Sequence, residues 1–181
     1  MFNKSIKEHV LELDESIQNR IAGFITQGAC IIEASDPVIV MKKLEEIVHP
    51  TYQILGNGVE STFLKKQQGR PIIRWDAKTF RKNDAIGSMY SLSMYPKEPK
   101  PIVIIDNITE IPEAVSEIYD DPEFVENVLL HSWKNDIIYL THLEYGPFQM
   151  NRTDYSVLFP VTPGALSRLR HHPDGIATTT F

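Results

Sequence analysis

The chain has 181 residues, enough for one domain that buries roughly 70% of its unfolded surface, and its 42% hydrophobic and 23% charged content is that of an ordinary globular protein. Twenty-four acids against 18 bases give a formal charge of −6, so no global basic field draws it to nucleic acid or to an anionic membrane. A single cysteine, Cys30, excludes an intramolecular disulfide, and a reducing cytoplasm is the expected setting.

In chain order, Ile6, Val10, Leu13, Ile17, Ile21 and Phe24 recur at spacings of three and four, which predicts an amphipathic helix over 5–26, ended by Gly28. The N-terminus is polar from Asn3 onward, and no apolar run approaches the roughly 20 residues of a membrane span, so neither secretion nor insertion is expected. Ala29 to Ile32 reads as a short buried strand, with Cys30 as a small core hydrophobe in preference to a nucleophile. Ser35-Asp36-Pro37 then opens a helix carrying Val40, Met41, Leu44 and Ile47, stopped at His49-Pro50. Tyr52 to Leu55 is a candidate strand, Gly56-Asn57-Gly58 a turn, and Arg70 to Trp75 a second candidate strand.

Pro101 to Asn107, Pro-Ile-Val-Ile-Ile-Asp-Asn, is the most distinctive stretch. Four apolar residues in a row predict a central strand buried on both faces, flanked by the strands at 29–32 and 137–141. An acid at its carboxyl end, Asp106, stands where open α/β sheets hold their ligands, although it could equally cap the following turn with Asn107 and Thr109. Asp121-Pro122 starts a helix with Phe124, Val125, Val128, Leu129 and Trp133 on one face, which leads into the strand Asp136 to Thr141. A polar loop runs through Gly146-Pro147 to Asn151, Ser156 to Phe159 is the last strand, and Pro163 to Arg170 forms a short helix. Strands alternating with helices imply an α/β three-layer sandwich with a mainly parallel central sheet. One domain over 1–181 is expected, with an N-terminal helix at 1–27, a core at 28–170 and a tail at 171–181.

The order of these elements resembles the core of an AAA+ ATPase of the P-loop NTPase class. Ala29 to Ile32 matches the strand before the phosphate loop, Ile102 to Asp106 the Walker B strand, Ile137 to Thr141 the sensor strand and Tyr155 to Val161 the last strand. The resemblance implies that Asp106 would hold a nucleotide's Mg²⁺ and that Thr141 would orient the attacking water. Ser35, Asp36, Asp106, Asn107 and Thr141 are then the remnant of a nucleotide site. Departures are large: Asn107 replaces the second Walker B acid, and Glu33 to Met41 holds neither the glycines nor the lysine of a phosphate loop. Asp36 and Glu33 would repel a triphosphate, and the helical lid is missing.

Three functions follow. The first is a non-catalytic P-loop-like domain that binds a partner protein or a second copy, without cofactor. The second is a Mg²⁺-dependent nuclease of PD-(D/E)xK type, in which Asp76 binds the metal, Lys78 supports the attacking water, and Glu60 or Asp36 supplies a further ligand. The third is an ATPase with a divergent loop, taking Mg²⁺ and ATP. The basic segment 65–70 with Arg74, Arg81 and Lys82 reads as a solvated loop or a phosphate contact, and the acidic run 110–126 as a solvated face or a docking face. His131, His142, His171 and His172 lack the spacing of a zinc site. The tail 173–181, ending at Phe181, is expected to dock on a partner as an added strand, outside the core, with a frayed end as the simpler alternative.

Overall fold

A computed structural model describes residues 29–48, 69–111, 121–169 and 176–181. The expected helix at 5–26, the strand at 52–55, the turn at 56–58, Glu60, the side chain of Ile47, and His171, His172 and Pro173 lie outside the described residues. The described residues form seven strands: β1 (Ala29–Glu33), β2 (Ile72–Asp76), β3 (Ile102–Asp106), β4 (Ile137–His142), β5 (Gly146–Asn151), β6 (Ser156–Val161) and β7 (Ala177–Thr180). Among the described residues three α-helices accompany them: α1 (Pro37–Val48), α2 (Lys82–Ser93) and α3 (Pro122–Leu129). No helix among the described residues is long and apolar enough to cross a membrane.

Five strands form one parallel sheet in the order β2-β3-β6-β1-β7. Helix α1 covers one face, where Val40, Met41, Leu44 and Val48 pack on Cys30, Ile32, Ile102, Ile104 and Leu158. Helices α2 and α3 and the β4-β5 hairpin cover the other, burying Met89, Leu92, Val125, Leu129, Ile138 and Met150 against Ile31, Val103, Ile105, Val157 and Phe159. The three-layer α/β expectation therefore holds, and the four apolar residues of β3 are all buried because helices lie on both sides.

The neighbours of β3 differ from expectation. It is flanked by β2 and β6, and β1 lies one strand further away. Residues 137–142 leave the central sheet altogether and pair antiparallel with β5, the stretch expected as a polar loop. Burial explains the exchange. All six residues of β6 are buried, as a strand covered on both faces requires, whereas in β4 Ile138 is buried between exposed Ile137 and Tyr139, the alternation of a one-sided hairpin. A three-residue turn joins the hairpin and ends at Gly146, whose φ of 80° is the left-handed conformation that such turns favour.

Two further elements depart from the sequence reading. Helix α2 is unanticipated, because its Gly87, Ser88, Ser91 and Ser93 blur the apolar stripe; Asp84 starts it by accepting from the Arg81 amide at 3.3 Å. The Tyr155 hydroxyl, donating to Leu92 O at 3.0 Å, ties its far end to the entry of β6. The expected short helix at 163–170 is a 3₁₀ turn, Ala165–Arg168. Helix α3 forms as expected, with Asp121 capping the Phe124 amide at 3.0 Å, but Trp133 lies in the 3₁₀ turn beyond it, and Glu126 is only 2% exposed, so the acidic run is not a uniformly solvated face.

The tail is corrected as well. Residues 177–180 form β7, parallel to β1, the Phe181 amide donates to Glu33 O at 2.8 Å, and the Phe181 ring packs on the α1 side of the core. What was expected to add a strand to another molecule adds it to its own sheet. Cys30 lies beneath it, with its Sγ 3.7 Å from Thr179 Oγ1, and burial pushes the thiol up from its ordinary value. At the opposite end of the strands, buried Arg70 donates to Lys100 O at 2.6 Å, Pro101 O at 3.3 Å and Ser156 Oγ at 2.8 Å, holding the starts of β3 and β6 together.

Arg70→Ala is expected to cost about 3 kcal/mol in urea unfolding, since hydrogen bonds to a buried charge are each worth about 1.5–3 kcal/mol; a change below about 0.5 kcal/mol would remove the clamp from the account. Deleting residues 176–181 is expected to make Cys30 react with a thiol reagent in the native state while the full-length protein resists. Equal reactivity of the two proteins would show that β7 does not cover the thiol.

Candidate functional site

The carboxyl ends of β3 and β6 and the start of α1 meet at a cleft of about 220 Å³, lined by Pro37, Val38, Asp106, Asn107, Pro160 and Arg168 among others. Proline in β6 explains why it is open. The Ser156 amide donates to Pro101 O on the β3 side at 3.0 Å, so residues 156, 158 and 160 alternate toward β3. Pro160 has no amide to offer, the β3 pairing ends at Ile104 and Leu158, and the two strands part beyond it.

Below this opening, β1 passes into α1 through only three residues, Ala34, Ser35 and Asp36. That link is too short to encircle a phosphate. Ser35 is exposed, and Asp36 Oδ1 accepts from the Ile39 amide at 3.2 Å, placing a carboxylate of the chain itself at the α1 N-terminus, where backbone amides and dipole would favour an anion. Pro37 removes a further donor.

Asp106 ends β3 as expected. Its Oδ2 accepts from Arg74 Nε at 3.3 Å, and Arg74 Nη1 continues to Glu45 Oε1 on α1 at 2.5 Å. A guanidinium thus bridges two carboxylates at the place where the ATPase resemblance puts a divalent cation. Asn107 takes up the left-handed conformation at φ 60° and donates through Nδ2 to Asp76 Oδ1 at 2.9 Å. The same oxygen accepts from the Lys78 amide at 3.0 Å, so Asp76 closes the turn after β2.

Of the nuclease candidates, Asp76 and Lys78 are among the described residues, at the turn after β2. Lys78 Nζ lies 3.6 Å from Glu110 Oε2, and Glu60 is outside the described residues. Thr141 is exposed on the hairpin opposite Pro147, away from the cleft, because β4 is not in the central sheet. The threonines that do line the cleft are Thr109 and Thr162, the latter directly after β6. Sequence reasoning missed Thr162, Arg168 and the pairing of Arg74. The available signal was Pro160, which interrupts a strand otherwise buried on both faces. Among the described residues no group of three or more His, Cys, Asp or Glu side chains is gathered as a metal site. No family model matches this chain, and no curated protein matches it significantly.

The three bridged side chains are each about one-third to two-fifths exposed, at 36% for Glu45, 42% for Arg74 and 35% for Asp106, so solvent screens them. Arg74→Ala is therefore expected to lower unfolding stability by no more than about 1 kcal/mol. A loss of several kcal/mol, measured by urea titration, would mean that the bridge carries the fold and not merely the cleft.

Proposed function

We propose that this protein is a non-catalytic relative of the AAA+ P-loop ATPases that acts by binding a partner protein or a second copy of itself. The observation that carries the reading is the Arg74 bridge: the cation beside Asp106 belongs to the chain. The Asp36 carboxylate at the α1 N-terminus supports it from the anion side. Strand order supports the architectural half. The sheet is parallel, with β6 between β1 and β3, and helices cover both of its faces, which is compatible with a P-loop-like core.

The divergent ATPase is less well supported. A cleft of about 220 Å³ falls below the roughly 300 Å³ at which small-molecule sites begin, and Asn107 supplies no carboxylate to activate water. Partner binding draws support from the β4-β5 hairpin, which exposes Tyr139 at 70%, Leu143 at 81% and Tyr145 at 60%, a concentration of large apolar side chains in one short element.

Calorimetric titration with Mg-ATP is expected to show no binding tighter than about 1 mM, equivalent to roughly −4 kcal/mol. A sub-micromolar dissociation constant, lost in Asp106→Ala, would overturn the proposal and restore a working nucleotide site.

A further inference from the structure

On the face opposite the cleft, a second and larger depression of about 920 Å³ runs between α2 and the hairpin turn. Its wall is aromatic. Tyr90 on α2 stacks on Tyr145 with ring centres 5.0 Å apart and planes 11° from parallel, and His142 packs against both at 4.9 Å. His142 fixes the turn, since Nδ1 accepts from the Glu144 amide at 3.1 Å and the Tyr145 amide at 3.3 Å. The platform is thus held in place before any partner arrives, and Tyr145 remains 60% exposed.

Charge selects the occupant. Asp84 lines the groove, and among the described residues no lysine or arginine does. Of the two bases at the start of α2, Arg81 is exposed at the N-cap and Lys82 is turned toward Asp121 at 3.8 Å and lies over the Phe124 ring at 4.5 Å. Exposed Glu144 adjoins Tyr145 in the turn. An aromatic face and a carboxylate in one groove, with no cation among the described lining residues, suit a guanidinium and disfavour a nucleic acid strand. Gly87 keeps the floor low, because a Cβ there would meet only His142 Nε2, at 3.9 Å.

We propose that this groove binds an extended, arginine-bearing segment of a partner protein, one guanidinium stacking on Tyr145 and pairing with Asp84. The proposal rests on the partner-binding reading above and specifies its chemistry.

The test is fluorescence anisotropy on the full chain with three labelled probes of equal length: a peptide alternating arginine and glycine, its glutamate counterpart, and oligothymidylate. The arginine peptide is expected to bind at least about tenfold more tightly than either other probe. Tyr145→Ala and Asp84→Asn should each weaken it by about threefold. Gly87→Leu, which fills the groove from a helical position with room for the new side chain, should abolish it. Arginine and glutamate peptides binding alike, oligothymidylate binding best, or wild-type affinity in both Tyr145→Ala and Gly87→Leu would each overturn the proposal. A parallel Mg-ATP titration separates the two readings: nucleotide binding with the arginine peptide still bound would remove the non-catalytic assignment and leave the groove standing.

Discussion

Three strands, β3, β6 and β1, have no wet face, and the rest of the molecule is arranged to keep them dry. Ile102 to Ile105, Ser156 to Val161 and Ala29 to Ile32 are buried without a break. Parallel strands of this kind need a layer on each side and long connections between them. Helix α1 supplies one layer; α2, α3 and the hairpin supply the other. The same requirement makes polar groups within the sheet costly unless satisfied, which is why Arg70, pulled down by burial to about 10 and still charged at neutral pH, spends its donors on two carbonyls and the Ser156 hydroxyl.

At the carboxyl ends of these strands the chain satisfies its own electrostatics. Parallel α/β architecture creates two unmet demands there, an anion for the helix N-terminus and a cation for the acid at the strand end. In a nucleotide-binding protein, phosphate and metal meet both. Here Asp36 meets the first and Arg74 the second, and a hydrogen bond from Asn107 to Asp76 ties the carboxyl ends of β2 and β3 together. A ligand entering the cleft would have to displace internal partners, whereas the hairpin and the groove beside α2 present surface that requires no such exchange.

Local chemistry made several elements readable from residues alone. Asp36-Pro37 and Asp121-Pro122 pair a capping acid with a proline that fits the first helical turn, and both helices start there. The aliphatic run before Asp106 could only be a doubly buried strand. Helix α2 escaped notice because its stability comes from packing Ala85, Met89 and Leu92 under the hairpin, not from a strong periodic stripe.

The sequence by itself determined that a parallel sheet is covered on both faces and that Asp106 ends one of its strands, because burial and capping act over a few neighbouring residues. Only the tertiary structure decided which strands lie side by side. Ile137 to Thr141 and Ser156 to Phe159 are both short apolar runs, and nothing local tells a central strand from a hairpin arm until the two faces are counted. The partner of Asp106 was likewise out of reach. Arg74 lies 32 positions away in sequence, and only the pairing of β2 with β3 brings its guanidinium to within 3.3 Å of that carboxylate.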